Sequence, residues 1–282
     1  MRGGSPIPEL PEVETVRRDL GPWLTGRTVL KAERVEAEPG PKYAGLERAA
    51  GQKILAVGRR GKFLLLPLSH GDELVIHLGM TGIISAQPFA KHTRVKLTLD
   101  PGPNDILYFQ DVRRFGRFLV VPSGRYETLP TLFAMGPEPL EDTFTPATFY
   151  GALQASSMPI KPYLLSQKPV SGVGNIYADE ALWRARIHPL TPARAISRIK
   201  VTRLAEAIRE VLLASLEAKG TTLQDYRTVN GEVGGYLERL NVYGKPEAPC
   251  PRCGRPISKI VVAGRGTHFC AHCQQMAVKR GA

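Results

Sequence analysis

The strongest constraint on this chain is its cysteine spacing: Cys250-x2-Cys253, sixteen residues, then Cys270-x2-Cys273, with no cysteine elsewhere. Two such pairs can present four thiolates to one zinc ion, which gives the closed tetrahedral shell of a structural site. A redox reading would need one catalytic pair beside a βαβ pattern, and this region lacks that pattern. His268 and His272 could compete as ligands, but four cysteines already fill the shell. Residues 241–282 are therefore expected to form a module around one structural Zn2+ held by Cys250, Cys253, Cys270 and Cys273. Between the pairs, Lys259–Ala263 and Thr267–Cys270 read as a β-hairpin turning through Gly264-Arg265-Gly266. Such a turn holds Arg265 where it can meet a nucleic-acid groove or a phosphate, or simply solvent.

The rest of the chain changes pattern twice. After MRGGSPI, residues 1–7, Pro8-Glu9-Leu10-Pro11 opens a helical pattern from Glu12 to about Leu24, with Pro11 and the early glutamates suited to a first helical turn. Short apolar runs follow: Phe63–Leu68, Leu74–Leu78, Val95–Leu99, Ile106–Phe109 and Phe118–Val121. Their spacing and alternation predict strands of a β-sandwich or barrel. Pro, Gly and Thr dominate the stretch around 131–145, which reads as a linker. Ser197 to Lys219 then forms the clearest helix, with Leu204, Ile208, Leu212 and Leu216 on one face and Gly220 after it. Residues 220–236 lack periodicity and make a loop long enough to serve as a lid.

The expected architecture is an α+β multidomain chain. It has an N-terminal β-sandwich with flanking helices over 8–130, a linker over 131–145, a helical domain over 146–240, and the zinc-finger β-hairpin over 241–282. Thirty-eight Lys and Arg against 26 Asp and Glu leave a charge of +12, a field that attracts nucleic acid or an anionic membrane surface. No run approaches the roughly 18 apolar residues of a membrane span. The expectation is a soluble intracellular protein without membrane partners.

Six separated motifs, in order, resemble the formamidopyrimidine-DNA glycosylase family of the base-excision repair enzymes. They are Pro8-Glu9-Leu10-Pro11-Glu12-Val13-Glu14, Gly61-Lys62, His77-Leu78-Gly79-Met80-Thr81-Gly82, Asp111-Val112-Arg113-Arg114-Phe115-Gly116, Gly172-Val173-Gly174-Asn175-Ile176-Tyr177-Ala178-Asp179-Glu180, and Gly264-Arg265-Gly266-Thr267-His268-Phe269-Cys270. The resemblance implies that Pro8 is a nucleophile, Glu9 a proton shuttle, Glu12 a supporting carboxylate and Lys62 a cation near the lesion phosphate. It also implies that Met80, Arg113 and Phe115 fill the gap left by an extruded nucleotide, and that Arg114 binds phosphate or buttresses the loop. Lys161, Gly174 and Asn175 belong to a helix–two-turn–helix facing phosphate, with Tyr243 and Arg265 as further DNA contacts. His77 reads by base rate as a core histidine, and by resemblance as a phosphate contact. Loop 220–236 matches the position of a flap over the flipped base.

The implied activity removes oxidised purines such as 8-oxoguanine and formamidopyrimidines from double-stranded DNA, then cleaves the abasic strand, as a monomer in a bacterial cytoplasm. A terminal proline amine, with an ordinary pKa of about 7.7–8.0, is partly nucleophilic near neutral pH. In this chain Ile7 precedes Pro8, and an amide nitrogen has no usable lone pair. The chemistry thus requires residues 1–7 to be a removed leader, a tag, or the product of a start placed too early. Two other readings stay open: an endonuclease VIII-type glycosylase for oxidised pyrimidines, and a non-catalytic zinc protein that binds damaged DNA.

Overall fold

The computed structural model describes residues 8–221, Val229 and 234–276. The leader 1–7 and most of the expected flap 220–236 lie outside the described residues. Two compact units emerge, one from Met1–Phe133 with Leu216–Gly235, the other from Ala134–Ser215 with Tyr236–Ala282.

The first unit starts with helix α1 (Leu10–Leu24), capped by Glu9, whose N–H donates to the Glu12 carboxylate at 2.9 Å. This is the reciprocal half of a capping box, and it explains why two glutamates three residues apart can be buried at a helix start. Eight strands follow: β1 (Val29–Arg34), β2 (Gly58–Arg60), β3 (Phe63–Pro67), β4 (Asp72–His77), β5 (Gly82–Ser85), β6 (Thr93–Leu99), β7 (Ile106–Asp111) and β8 (Arg117–Pro122). They form two antiparallel four-stranded sheets, ordered β1-β6-β7-β5 and β2-β3-β4-β8. A shared apolar core takes Val95, Leu97, Leu107 and Phe109 from one sheet and Leu64, Leu66, Leu74, Ile76 and Phe118 from the other. Val13, Val16, Leu20 and Leu24 of α1 close that core, with Leu20 and Leu24 fully buried.

Three strands lacked a sequence signal. β1 carries Lys31, Glu33 and Arg34, β2 is Gly-Arg-Arg, and β5 is only four residues long. Each is an edge strand, and an edge needs fewer apolar positions because one side remains open to water.

The second unit follows the short helix α2 (Pro130–Phe133) and contains α3 (Pro146–Gln154), α4 (Ile160–Leu165), α5 (Asn175–Arg184) and most of α6 (Arg198–Glu217). Its first segment is held to α6 by Arg209, which donates to the carbonyls of Pro139, Glu141 and Phe144 at 2.9, 3.0 and 2.6 Å. The unit ends in the hairpin β9 (Ser258–Val262) and β10 (Arg265–Phe269). Its turn differs from the expected Gly264-Arg265-Gly266. Val262 pairs with Arg265, and the two turn residues are Ala263 and Gly264, with φ of 47° and 73°. Positive φ at both centres marks the two-residue turn whose twist matches that of the strands, so Arg265 begins β10 instead of forming the tip.

Among the described residues, no helix is long and apolar enough to cross a membrane.

Candidate functional site

In the first unit, Pro8 and Glu9 are buried at the head of α1, Glu9 being 1% exposed. Glu12, one turn on, accepts the Glu9 N–H on one oxygen and the Thr221 N–H on the other at 2.7 Å. One carboxylate therefore ties the head of the helix to the start of the 220–236 segment. Gly220 sits against that carboxylate with φ of +92°, and a Cβ there would lie 3.0 Å from Glu12 Oε1. Glu14 accepts from Arg17 and Arg18 at 2.9 Å and from Arg59 at 3.1 Å. Burial works to raise its pKa, but the hydrogen bonds and charges of these guanidiniums bring it below the usual carboxylate range. Arg59 also donates to the Gly61 carbonyl at 3.0 Å, so Glu14 and Arg59 fasten the turn that precedes Lys62 to α1.

His77 ends β4 opposite Phe63 and Arg117, its ring 4.7 Å from that of Phe63. Its Nδ1 accepts the Gly79 N–H at 3.1 Å, which leaves the neutral ring's proton on Nε2. Desolvation, then the charges of Lys62 and Arg117, push its pKa down from 6.5 to about 4. The imidazole is thus neutral at pH 7, and a phosphate it met would be met by an Nε2–H donor instead of a cation. A folded pKa below the unfolded one means the native state binds fewer protons. The His77 contribution is therefore complete above about 6.5 and is lost as pH falls toward about 4. Urea unfolding of the parent and of His77→Gln across this window should show a steeper acid loss in the parent. Parallel curves would refute the assignment.

Met80 and the 113–115 loop come together. At Gly79, φ is +66°, and a Cβ would lie 2.5 Å from the Gly116 nitrogen, so only glycine permits this approach. Thr81 joins the two segments: its hydroxyl donates to Asp111 Oδ1 at 2.6 Å and accepts the Arg113 N–H at 3.0 Å. The other Asp111 oxygen accepts the Gly116 N–H at 2.6 Å, and the residue is fully buried. Arg113 stacks over the Phe115 ring at 5.0 Å, while half of Phe115 remains exposed. Arg114 adopts φ of 57°, and its carbonyl accepts from Lys42.

In the second unit, Gly174 caps α5, and Asn175 at its first position donates to the Gly266 carbonyl at 3.1 Å and to the Tyr243 hydroxyl at 3.4 Å. Lys161 differs from the surface contact expected of it. It is 1% exposed, pairs with Asp179 at 2.7 Å, and donates to Gly266 O and Thr267 Oγ1 at 3.1 and 2.8 Å. Its ammonium supports the hairpin backbone from behind. Asp179 also accepts the His268 N–H at 2.8 Å, and the His268 ring lies edge-on to Tyr243 at 5.1 Å. Glu180, fully buried, accepts the backbone N–H groups of Asn241, Val242 and Tyr243 at 2.8–3.0 Å. Arg265 is exposed on the hairpin.

Sequence reasoning named Glu12 as a support but not Glu14, Arg59, Thr81, Asp111, Asp179 and Glu180, which hold the other candidate residues in place. All of these except Arg59 stood inside the quoted motifs. The available signal was a charged or hydroxyl side chain among apolar neighbours in a strand or helix.

The four cysteine sulfurs lie within 4.8 Å of one another, and Cys253 Sγ is 3.6 Å from Cys270 Sγ. A tetrahedral zinc with bonds of about 2.3 Å requires sulfurs about 3.8 Å apart, so the quartet fits one ion. Burial and the neighbouring sulfurs push the Cys273 thiol up to about 12, so four thiolates can coexist here only around a cation. At Cys250 burial acts in the same direction, but the Trp183 indole and the Arg252 and Cys253 backbone N–H groups bring the thiol down to about 6. These four cysteines are placed to bind one zinc, and neither His268 nor His272 joins their cluster.

Three domain families match the chain in order. They are the formamidopyrimidine-DNA glycosylase N-terminal domain at residues 7–118, the formamidopyrimidine-DNA glycosylase H2TH domain at 135–227, and a zinc finger found in FPG and IleRS at 248–275. A formamidopyrimidine-DNA glycosylase of Deinococcus radiodurans is 48% identical over 289 residues, covering 98% of this chain and 100% of the relative. One from Thermus thermophilus is 49% identical over 270 residues, covering 95% and 98%. The crystal structure of the MutM (FPG) protein of Thermus thermophilus superposes with a TM-score of 0.89 at 48% identity, covering 96% of this chain and 100% of that one. A Lactococcus lactis FPG variant in complex with Fapy-dG-containing DNA superposes with a TM-score of 0.84 at 36% identity, covering 95% and 100%.

Proposed function

This chain belongs to the formamidopyrimidine-DNA glycosylase family, and from that premise we propose that it excises oxidised purines from duplex DNA and then cleaves the strand at the vacated sugar. The observation that carries this reading is the preassembled wedge. Exposed Phe115, with Arg113 stacked on it, stands on a loop locked through Thr81 and Asp111 to the Met80 turn. Extruding a nucleotide costs a few kcal/mol of stacking, which an aromatic face and an unbranched Met can partly replace. Arg113 can hydrogen-bond the base left without a partner. The Fapy-dG complex formed by the Lactococcus lactis relative supports the substrate class.

Once Pro8 is the first residue, its secondary amine attacks the sugar C1′ and the oxidised base departs with a proton. Glu9 delivers a proton to the ring oxygen, opening the sugar, and the linkage becomes an iminium. The iminium acidifies the C2′ proton. Its removal expels the 3′ phosphate, and a second elimination expels the 5′ phosphate. Lys62 and a neutral His77 hold phosphate beside this centre. Asn175 and the N-terminus of α5, Tyr243 and Arg265 hold further phosphates, and Lys161 acts through the hairpin that it supports. The protein acts as a monomer on DNA carrying an oxidised purine or an abasic site.

Borohydride trapping on a duplex with one 8-oxoguanine opposite cytosine tests this, comparing the chain as given with a chain beginning at Pro8. The shorter chain should form a covalent adduct mapped to Pro8, while the longer one, with Pro8 in an amide to Ile7, should form none unless its leader is lost. Binding without trapping by the shorter chain would leave a damage-binding zinc protein. Faster release of thymine glycol than of 8-oxoguanine would move it to the pyrimidine-directed branch.

A further inference from the structure

Three residues on one face of α5, spaced four apart, each reach a different part of the zinc module. Asn175 donates to Gly266 O, Asp179 accepts from His268 N, and the Trp183 indole Nε1–H points at Cys250 Sγ at 3.5 Å. Trp183 is 8% exposed and packs with Val242, Cys250, Ile257 and Cys270 in one small core. Arg252, which stands between the first two cysteines, places its guanidinium 4.3 Å over the indole ring and donates to the Trp183 carbonyl at 3.0 Å. The indole is therefore held on its edge by a sulfur and on its face by a cation.

We propose that Trp183 is an outer-shell residue of the zinc centre. Its N–H donates to the Cys250 thiolate and so couples zinc affinity to the seating of α5, the helix that opens at Gly174-Asn175. Four thiolates around one Zn2+ leave a net charge of −2 in a partly buried site, so the charge on sulfur must be dispersed by donors nearby. The indole N–H supplies one such donor to a buried sulfur that water reaches poorly, and the Arg252 cation lies just behind it. Partners that orient or polarise metal ligands commonly change metal affinity by about 10–100-fold. Because the same side chain anchors α5 to the zinc module alongside Asn175, Asp179 and Glu180, loss of zinc removes a restraint on the helix whose first turn carries Asn175.

The chain has two tryptophans, and Trp23 belongs to the first unit, where its Nε1–H donates to the Asn104 carbonyl at 2.7 Å. Trp23→Phe thus isolates Trp183 as the reporter. In the full-length zinc-loaded Trp23→Phe chain, removing zinc with a chelator should shift Trp183 emission in wavelength and intensity, and re-adding zinc should restore it. Emission indifferent to zinc would overturn the proposal. Separately, Trp183→Phe should weaken zinc about tenfold or more in chelator competition, with far-UV dichroism at saturating zinc unchanged. With cobalt in the site, the sulfur-to-metal charge-transfer band of Trp183→Phe should move to lower energy, because the thiolate has lost a donor. Zinc affinity within twofold of the parent together with an unmoved cobalt band would refute the hydrogen bond. Should Trp183→Phe fail to fold even with zinc, the emission of the Trp23→Phe chain decides alone.

Discussion

Replacing Lys161 by methionine is expected to destabilise the zinc-saturated protein by about 3–5 kcal/mol, a range set by removing one partner of a buried ion pair. Lys161 and Asp179 are each 1% exposed and 2.7 Å apart. Methionine fills much of the lysine stem but leaves the Asp179 carboxylate in a desolvated pocket without its cation, facing the His268 N–H at 2.8 Å and the His268 Nδ1 at 3.4 Å. The hairpin carbonyl of Gly266 also loses the ammonium, though it keeps the Asn175 amide. Two measurements separate charge from packing. The double variant Lys161→Met with Asp179→Asn removes both charges, and its asparagine oxygen can still accept from His268. It should recover at least half of the loss in urea unfolding. A single variant within about 1 kcal/mol of the parent would show the pair to be solvated in solution. A double variant no better than the single would trace the loss to packing. On the proposed function, the single variant also binds duplex DNA more weakly, because the hairpin bearing Arg265 is seated on this lysine.

The second large effect concerns chemistry instead of stability. In a chain beginning at Pro8, Glu9→Gln should lower base excision by about 10²–10⁴-fold, the range expected for losing a positioned proton donor. Gln is isosteric: its side-chain oxygen can still accept the Glu12 backbone N–H of the capping box, and its own backbone N–H still donates to the Glu12 carboxylate. Folding and duplex binding should therefore stay close to those of the parent. A variant with at least a third of parental excision would remove Glu9 from the mechanism. Loss of binding in step with excision would make it a structural residue instead.

The zinc quartet was legible from spacing alone, since two Cys-x2-Cys pairs leave little choice of chemistry or geometry. The sandwich was legible where strands bury both faces, as in β4, and hidden where an edge strand such as β2 consists of Gly-Arg-Arg. Arg113 and Phe115 could be named through the family resemblance, since an aromatic alone reads as a core residue, and the structure leaves Phe115 half exposed. Sequence position could not show that Thr81 bonds both Asp111 and Arg113, since those partners are thirty or more residues away.

By itself the amino-acid sequence determined the local chemistry of this protein: which side chains can ligate zinc, which carboxylates can cap a helix, and where the core-facing strands and the two longest helices lie. Those properties depend on neighbours along the chain. Only the tertiary structure decided which charged groups face outward. Lys161 and Arg265 are both cations in DNA-binding motifs by sequence. Yet Asp179, brought beside Lys161 by the packing of α4 against α5, draws the lysine inward, while Arg265 stays exposed. A buried charge persists only where a partner offsets its desolvation, and that partner is chosen by the fold.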